Sequence, residues 1–326
     1  MTPQRELSRE LQAVRENAGL FQLPERGVLE VLGSDRVRWL DGMISADVKA
    51  LAVGCGAPGL LLTRQGRIVA DLHVLARSDS FWLELEASAL AGVSQRLAGY
   101  VIADDVTLRS RSSELVRLAV EGPRAEERLA AAGADPRGLA PHAWRELALA
   151  GAPVTLAAYG FSGLAGFQLF APADAAEAVS RALLASGIAS ASRDTLECLR
   201  ITAGVPWLGR ELDETVLPAE ARLEAAISTS KGCYTGQEVV TRLRSRGRVG
   251  HLLVGLRFES ETLPPRGAEI SGPAGRIGQL TSRVLCPGEG AIGLGFVRAE
   301  AAEPGTSVRV AETTAQIVAL PMRPSV

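Results

Sequence analysis

The character of the chain changes near residue 248, and this change constrains the fold more than any other feature of the sequence. Beyond it, short apolar runs alternate with glycine- and proline-rich turns, as in HLLVGLRF, AEISG, GRIGQLTSRVL, AIGLGFVRA, SVRVAE and AQIVAL. Short strands at regular spacing, separated by turn signals, are typical of a small β-barrel or sandwich. We therefore predict two regions, residues 1–248 and an all-β domain over residues 249–326.

The region before residue 248 mixes helical and strand patterns. RGVLEVLG predicts a strand that ends at Gly33, and SDRVRWLDGMI predicts a helix with Val37, Leu40 and Ile44 at helical spacing. GLLLTRQGRIVADLHVLARSDSFWLELEA predicts three strands with turns at RQGR and RSDS. A chain of 326 residues also exceeds the usual size of a single hydrophobic core. We expect an α+β protein of two or three domains.

The charge balance excludes some classes of partner. The 35 basic and 37 acidic residues leave a formal net charge of −2, so the overall field gives no reason to expect a nucleic-acid or membrane partner. The N-terminal segment is charged throughout, and no run reaches the ~18 apolar residues of a membrane span. The sequence predicts a cytoplasmic protein.

The cysteines do not form a recognisable metal or disulfide pattern. Cys55, Cys198, Cys233 and Cys286 lie far apart without CxxC spacing, and the chain has three histidines. Zinc sites and disulfide scaffolds need closer or more numerous ligands. We predict neither of them, and no metal site.

One cysteine nevertheless lies in an unusual setting, the segment KGCYTGQE at residues 231–238, called the signature segment below. Thr235 and Glu238 have the spacing of a capping box, which predicts that a helix starts at Thr235. A helix N-terminus and the nearby Lys231 both favour the thiolate form of Cys233. The alternative is that Cys233 is a small apolar residue that fills a tight turn.

The strand GRIVADLHVL carries a second candidate. Alternation places Val69, Asp71 and His73 on one face, and Ile68 with the remaining apolar residues on the other. An unpaired charge in such a run is costly to bury. Asp71 is therefore either solvated on a half-exposed strand or part of a pocket wall that pairs with a ligand, and His73 alone suggests a core residue.

Four arginines follow the signature segment at every second position. Arg242, Arg244, Arg246 and Arg248 share a face if the chain is extended there, and they spread around the axis if a helix continues. A solvated connector between domains explains most of them, and phosphate or carboxylate binding is the alternative.

The segment KGCYTGQEVVTR, together with GVLEVLGSDRVRWLDGMISADVKAL, GRIVADLHV, LRITAGVPWLGRELDETVLPAEARL and AIGLGFVR, resembles the YgfZ-type folate-binding proteins. That family is implicated in assembly or repair of iron-sulfur enzymes, and it is related to the aminomethyltransferase, or T-protein, of the glycine cleavage system. The resemblance covers nearly the whole chain from about Gly19. It implies interwoven α/β domains around a central cavity, one of them ferredoxin-like, and a C-terminal β-barrel.

The same resemblance implies tetrahydrofolate as the ligand, with Asp71 as a folate-facing carboxylate that stabilises positive charge near the nitrogen carrying the one-carbon unit. Arg242 or its neighbours suit the anionic glutamate tail. The chain has Cys233, Gln237 and Thr202 where the T-protein has aspartate, arginine and glutamate. The implied catalytic residues are Cys233 and Asp71, and the implied folate-binding residues are Asp71, Thr202, Lys231, Tyr234, Gln237, Glu238 and Arg242.

Three functions follow as hypotheses. The first is a tetrahydrofolate-binding accessory protein for assembly or repair of iron-sulfur enzymes, with Cys233 as a reactive thiol and with iron-sulfur client or assembly proteins as partners. A single cysteine does not hold a cluster alone, so such partners would supply further ligands. The second is a folate-dependent aminomethyl- or methyltransferase that depends on Asp71, and the third is a scaffold that has lost its ligand.

Overall fold

The computed structural model describes residues 3–247 and 249–322. Its helices are α1 (Pro3–Glu16), α2 (Arg36–Met43), α3 (Leu90–Ala98), α4 (Ala125–Ala131), α5 (Ala176–Ala185), α6 (Arg193–Ala203) and α7 (Gln237–Arg246). Its strands are β1 (Gly19–Gln22), β2 (Arg26–Leu32), β3 (Gly56–Leu62), β4 (Ile68–Ala76), β5 (Ser80–Glu86), β6 (Thr107–Ser110), β7 (Leu115–Glu121), β8 (Trp144–Leu149), β9 (Ala152–Ala157), β10 (Gly166–Pro172), β11 (Ala189–Ser190), β12 (His251–Phe258), β13 (Glu269–Gly272), β14 (Gly275–Cys286), β15 (Gly290–Arg298), β16 (Ser307–Val310) and β17 (Thr313–Val318).

Two sheets are interwoven along the chain. Sheet 1 has the strand order β3-β4-β5-β2-β6, and sheet 2 has the order β11-β1-β7-β10-β9-β8. The chain starts in sheet 2 with β1, builds all of sheet 1, and then returns to complete sheet 2. This arrangement confirms the predicted α+β class with interwoven domains.

Each sheet has a helix-covered apolar face. In sheet 1, Val31, Ala70 and Leu83 pack with Trp39 of α2 and Val93 of α3. These strand residues follow the period of two that places alternate side chains on one face. In sheet 2 the equivalent cluster includes Leu129 of α4 and Val179 and Leu183 of α5.

The opposite faces of the two sheets meet each other. Val28, Leu75 and Trp82 from sheet 1 pack with Trp144 and Phe170 from sheet 2. Burial of large aromatic side chains contributes strongly to such a contact. Several charged residues of sheet 1 lie on this same face, and they form the candidate site.

The C-terminal region forms a closed barrel in the order β12-β15-β14-β13-β16-β17. Its interior is apolar and includes Leu256, Ile270, Leu280 and Val310. The strand and turn signals predicted a barrel or a sandwich here, and the barrel that the family resemblance implied is confirmed. The boundary at residue 248 lies at a position outside the described residues, and it stays a prediction.

One irregularity in the pairing of β3 with β4 changes which residues face the site. The register shifts between Leu61 and Leu62, which leaves Val69 as an extra residue on β4. Ile68 packs with Leu62, and Val69 packs against the cluster under α2 and α3. The sequence predicted the reverse, with Val69 on the face of Asp71. That prediction was wrong because a bulge adds one residue to a strand and reverses the alternation beyond it.

In the part of the chain that the structure describes, no helix combines the length and the apolar character needed to span a bilayer.

Candidate functional site

A buried arginine and a buried glutamate form the base of the candidate site. Arg26 on β2 donates from Nε and Nη2 to the two carboxylate oxygens of Glu84 on β5, at 2.7 and 2.8 Å. Arg117 on β7 donates a weaker bond to the same carboxylate at 3.3 Å. Burial alone would raise the pKa of Glu84, but Arg26 and Arg117 outweigh it and lower the pKa to about 2. The site therefore contains an ionised pair within sheet 1, and Arg117 connects this pair to sheet 2.

Asp71 lies beside this pair on β4. Its Oδ2 is 3.8 Å from Nη1 of Arg26, which is too long for a hydrogen bond, and 23% of the side chain is exposed. Its Oδ1 is buried and has no hydrogen-bond partner among the described residues. Burial raises the pKa of Asp71, and Arg26 only partly opposes this. A carboxylate in this position has acceptor capacity that the protein itself does not use.

An aromatic wall stands next to the Arg26 guanidinium. Tyr159 and Phe161 lie in the connection between β9 and β10, and their ring centroids are 5.9 Å apart. Phe161 also meets Trp207 edge-on at 6.2 Å, and the Arg26 guanidinium lies 5.0 Å from the Phe161 centroid. Trp207 is buried, and its Nε1 has no hydrogen-bond partner within the described residues. The wall thus offers flat apolar surface and one unused N–H donor.

Glu121 at the end of β7 holds this wall in place. Its two carboxylate oxygens accept hydrogen bonds from the backbone N–H groups of Phe161 and Ser162, at 2.9 and 2.7 Å. Burial raises the pKa of Glu121, although these hydrogen bonds oppose the rise. Gly160 is needed beside it, because a Cβ at that position would lie 2.9 Å from Glu121 Oε2.

His73 belongs to the packing between the sheets. Its ring stacks on Tyr159 at 3.5 Å with an interplanar angle of 12°. Burial, together with the nearby His142, lowers the pKa of His73 to about 3, so the ring is neutral at physiological pH. This placement agrees with the core role that the sequence suggested.

The signature segment packs against the turn that joins β3 to β4. Lys231 is almost wholly buried, and its Nζ donates to the carbonyl oxygens of Asp41, Ile44 and Ala46 at 2.5, 2.9 and 2.6 Å. Burial lowers the pKa of Lys231, and Asp41 offsets part of the decrease. Lys231 therefore fastens the segment to the end of α2.

Tyr234 and Cys233 take opposite orientations in this segment. Tyr234 is buried with Leu60, Leu62 and Ile68, whereas Cys233 is exposed. The segment thus presents a thiol to solvent from a backbone that is anchored on both sides.

The helix that follows does not start as predicted. Helix α7 begins at Gln237, its N-cap is Gly236 with φ of 84°, and no side chain caps it. The capping box of Thr235 and Glu238 is therefore wrong. A Cβ on Gly236 would lie 2.5 Å from the carbonyl oxygen of Thr63, so the segment needs a glycine in the left-handed region there. The Gln237 side chain instead accepts from the N–H of Tyr234 at 3.4 Å.

The other predicted residues are scattered. Glu238 and Arg242 form an exposed ion pair with each other at 2.9 Å on α7. The Thr202 hydroxyl donates to the carbonyl oxygen of Cys198 within α6, at 2.8 Å. Arg244 is exposed on α7, so the arginines up to there follow a helix and not an extended strand. Arg248 lies outside the described residues, as does the side chain of Arg246.

The structure thus keeps Lys231, Tyr234 and Gln237 with Cys233 in the signature segment, and it places Asp71 beside Arg26, which pairs with Glu84 and lies near the Phe161 ring. The sequence did not single out these residues, nor Tyr159 and Trp207, whose rings contact Phe161. A signal for Glu84 was present, because the strand FWLELEA places carboxylates at alternate positions of an apolar run. No group of three metal-binding side chains occurs within the described residues.

Comparison with known proteins identifies the family. The protein-family model described as the GCVT N-terminal domain matches residues 3–231, which is more than half of the chain. The chain is a member of the GCVT family.

Curated relatives agree with this membership. The chain is 30% identical over 317 residues to an aminomethyltransferase of Rubrobacter xylanophilus, covering 96% of this chain and 85% of that protein. It is 29% identical over 320 residues to an aminomethyltransferase of Bacillus subtilis, covering 93% and 86%. It is also 28% identical over 306 residues to a putative chloroplastic transferase of Arabidopsis thaliana, covering 92% and 69%.

A solved structure shares the fold of this chain. The crystal structure of glycine cleavage system aminomethyltransferase T from Bartonella henselae has a TM-score of 0.85 and covers 97% of this chain and 89% of its own. The sequence identity is 24%, so this likeness concerns the fold.

Proposed function

We propose that this GCVT-family chain binds tetrahydrofolate beside Asp71 and acts as a folate-dependent one-carbon transferase of the aminomethyltransferase type. The observation that carries the proposal is the Asp71 carboxylate, which has one buried oxygen without a protein partner. Its relatives named aminomethyltransferase cover nearly the whole chain, and they support this function better than the iron-sulfur function that the sequence first suggested.

The residues around Asp71 suit a flat, polar heterocycle such as a pterin. Asp71 accepts hydrogen bonds from ring or bridge N–H groups, Phe161 and Tyr159 provide aromatic surface, and Trp207 offers an unused donor. When bound, tetrahydrofolate supplies the nitrogen that takes up the one-carbon unit. Arg26 is committed to Glu84, so it sets the charge near Asp71 without neutralising it by a close ion pair.

Asp71 has two roles in this proposal. As a carboxylate it stabilises positive charge that develops near the reacting nitrogen. Because burial raises its pKa, it also takes up a proton more readily than an exposed aspartate does. Both roles depend on the partial exposure of the side chain, which leaves it accessible to a ligand.

Turnover tests the proposal directly. The purified protein is incubated with tetrahydrofolate and aminomethyl-lipoyl carrier protein, and the formation of methylene-tetrahydrofolate and of ammonia is followed. We expect both products to form, at a rate that saturates with tetrahydrofolate. Saturable folate binding without any product would contradict the transferase function.

A second candidate function is favoured by the presentation of Cys233. The signature segment is fixed by Lys231 and Tyr234 while the Cys233 thiol faces solvent, which is an arrangement suited to contact with another protein. In this second proposal the chain is a YgfZ-type accessory protein that binds folate and uses Cys233 in assembly or repair of iron-sulfur enzymes. Client or assembly proteins would then supply the remaining cluster ligands.

Replacement of Cys233 by serine separates the two functions. Because Cys233 is exposed, we expect the free energy of unfolding to change by less than ~0.5 kcal/mol. If the chain is a transferase, turnover is retained. If it is an accessory protein, the variant fails to restore iron-sulfur enzyme activity in a deletion strain. The matched control is Cys55→Ser, because Cys55 is also exposed. Full restoration of iron-sulfur enzyme activity by the Cys233→Ser protein would show that the accessory mechanism does not use this thiol.

A further inference from the structure

A groove of about 560 Å³ lies between the barrel and the segment Thr215–Glu220. Its rim carries Arg67 from the turn before β4, and Arg276 and Arg298 from barrel strands β14 and β15. His251 pairs with Arg298 in the register of β12 and β15, so both side chains lie at one end of the barrel. This volume falls in the range of small-molecule sites.

The groove has an excess of positive charge. Glu220 is the acidic residue in its lining, against three guanidinium groups. The Glu220 carboxylate already accepts from the N–H of Leu217 at 2.9 Å and lies 3.4 Å from Arg67 Nη1. Within the described residues, Glu220 forms no ion pair with either of the other two arginines.

Arg276 and Arg298 have guanidinium N–H donors without a hydrogen-bond partner among the described residues. Arg276 has Glu269 as its ion-pair partner, at the long distance of 3.8 Å. Arg298 is exposed and has neither a hydrogen bond nor an ion pair with any residue that the structure describes. Planar guanidinium groups bind phosphate and carboxylate in a bidentate manner, so an anion between them would satisfy both.

The floor of the groove is apolar. Val216, Ile277 and Phe296 line it, and Gly278 adds bare backbone. A Cβ on Gly278 would collide with the backbone of Phe296, so this part of the floor stays without a side chain. A ligand that joins an anionic group to an apolar one matches this combination of rim and floor.

The groove is separate from the proposed folate site. Within the described residues, none of its lining side chains takes part in the contacts among Arg26, Asp71 and Glu84. The backbone of Val216 accepts from the N–H of Ile68 at 3.0 Å, and this pairing places the 215–220 segment over the start of β4.

We propose that this groove is a second binding site, for a small dianion that carries an apolar group. The dianion is a phosphate monoester or a dicarboxylate, since both present paired oxygens to arginine. Arg298 and Arg276 bind the charged end, and Phe296 and Ile277 contact the apolar part.

Isothermal titration of the full-length protein with phenyl phosphate and with phthalate tests the proposal. We expect saturable binding of at least one of them with Kd of about 1 mM or below, weaker binding of inorganic phosphate, and no binding of phenol. Tighter binding of phenyl phosphate assigns a phosphate ester to the groove, and tighter binding of phthalate assigns a dicarboxylate. Lack of saturable binding of both dianions up to about 10 mM would overturn the proposal.

Variants locate the site. Arg298→Ala and Arg276→Ala should each weaken binding about tenfold, Arg298→Lys should weaken it less, and Arg309→Ala on the same barrel should have no effect. Circular dichroism confirms that each variant is folded. Equal affinities in the Arg298→Ala and Arg309→Ala proteins would contradict the assignment. Asp71→Asn should leave dianion binding unchanged, so this test is independent of the proposed folate function. Loss of dianion binding in the Asp71→Asn protein would contradict a separate site.

Discussion

Replacement of Asp71 by asparagine is expected to weaken tetrahydrofolate binding about tenfold or more and to lower kcat/KM by about 10² to 10³. The change keeps the shape of the side chain but removes its charge. An amide stabilises developing positive charge poorly, and Arg26 remains satisfied by Glu84, so the fold should be retained. Titration calorimetry measures the binding, and the turnover assay measures kcat/KM.

The matched control for this variant is Asp174→Asn, because Asp174 is exposed on the surface. The control should bind and react like the unmodified protein. Equal folate affinity in the Asp71 and Asp174 variants would remove Asp71 from the site, even if the family membership stands.

Replacement of Glu84 by glutamine should destabilise the protein by about 3 kcal/mol. Glu84 is fully buried between Arg26 and Arg117, and loss of its charge leaves two buried guanidinium groups with weak compensation. Equilibrium unfolding in urea gives the free energy change. The control is Glu238→Gln, which removes an exposed i, i+4 pair on α7 and should cost less than ~0.5 kcal/mol.

The loss in free energy of unfolding caused by Glu84→Gln should also depend on pH. The folded-state pKa of Glu84 is lowered from 4.5 to about 2, so its stabilisation is fully present above pH ~4.5 and is lost as the pH falls toward 2. A shift of this size corresponds to about 3 kcal/mol, the same size as the destabilisation expected for Glu84→Gln. The free energies of unfolding of the unmodified protein and of Glu84→Gln, plotted against pH, should therefore converge as the pH falls. Parallel curves between pH 5 and 2 would show that the Glu84 charge does not stabilise the fold.

Local sequence patterns predicted an all-β C-terminal region, as a barrel or a sandwich, and the position of Asp71 on a strand. Glycines and prolines between short apolar runs are local signals, and so is a charge within an alternating strand. The pairing of Arg26 with Glu84 is not local, because 58 residues separate the two. It arises only when β2 and β5 become neighbours in sheet 1, which no spacing along the chain encodes.

Both errors at sequence level concern places where pairing with another segment changes the local pattern. The bulge at Val69 lies in the pairing of β3 with β4, and the left-handed Gly236 lies against the carbonyl oxygen of Thr63 in the β3–β4 turn. Alternation and capping rules describe an isolated strand or helix, and tertiary contacts override them here. For the same reason Trp207 was missed, since its significance comes from contact with Phe161 and not from its neighbours in sequence.

The anchoring of the signature segment has a practical consequence for spectroscopy. Lys231 ties one side of Cys233 to three carbonyl oxygens, and Tyr234 is buried on the other side. A nitroxide or fluorophore attached to the Cys233 thiol would therefore tumble with the whole molecule and not with a loose loop. Distances measured from such a label, for example to a second one on the barrel, would report domain movement during ligand binding.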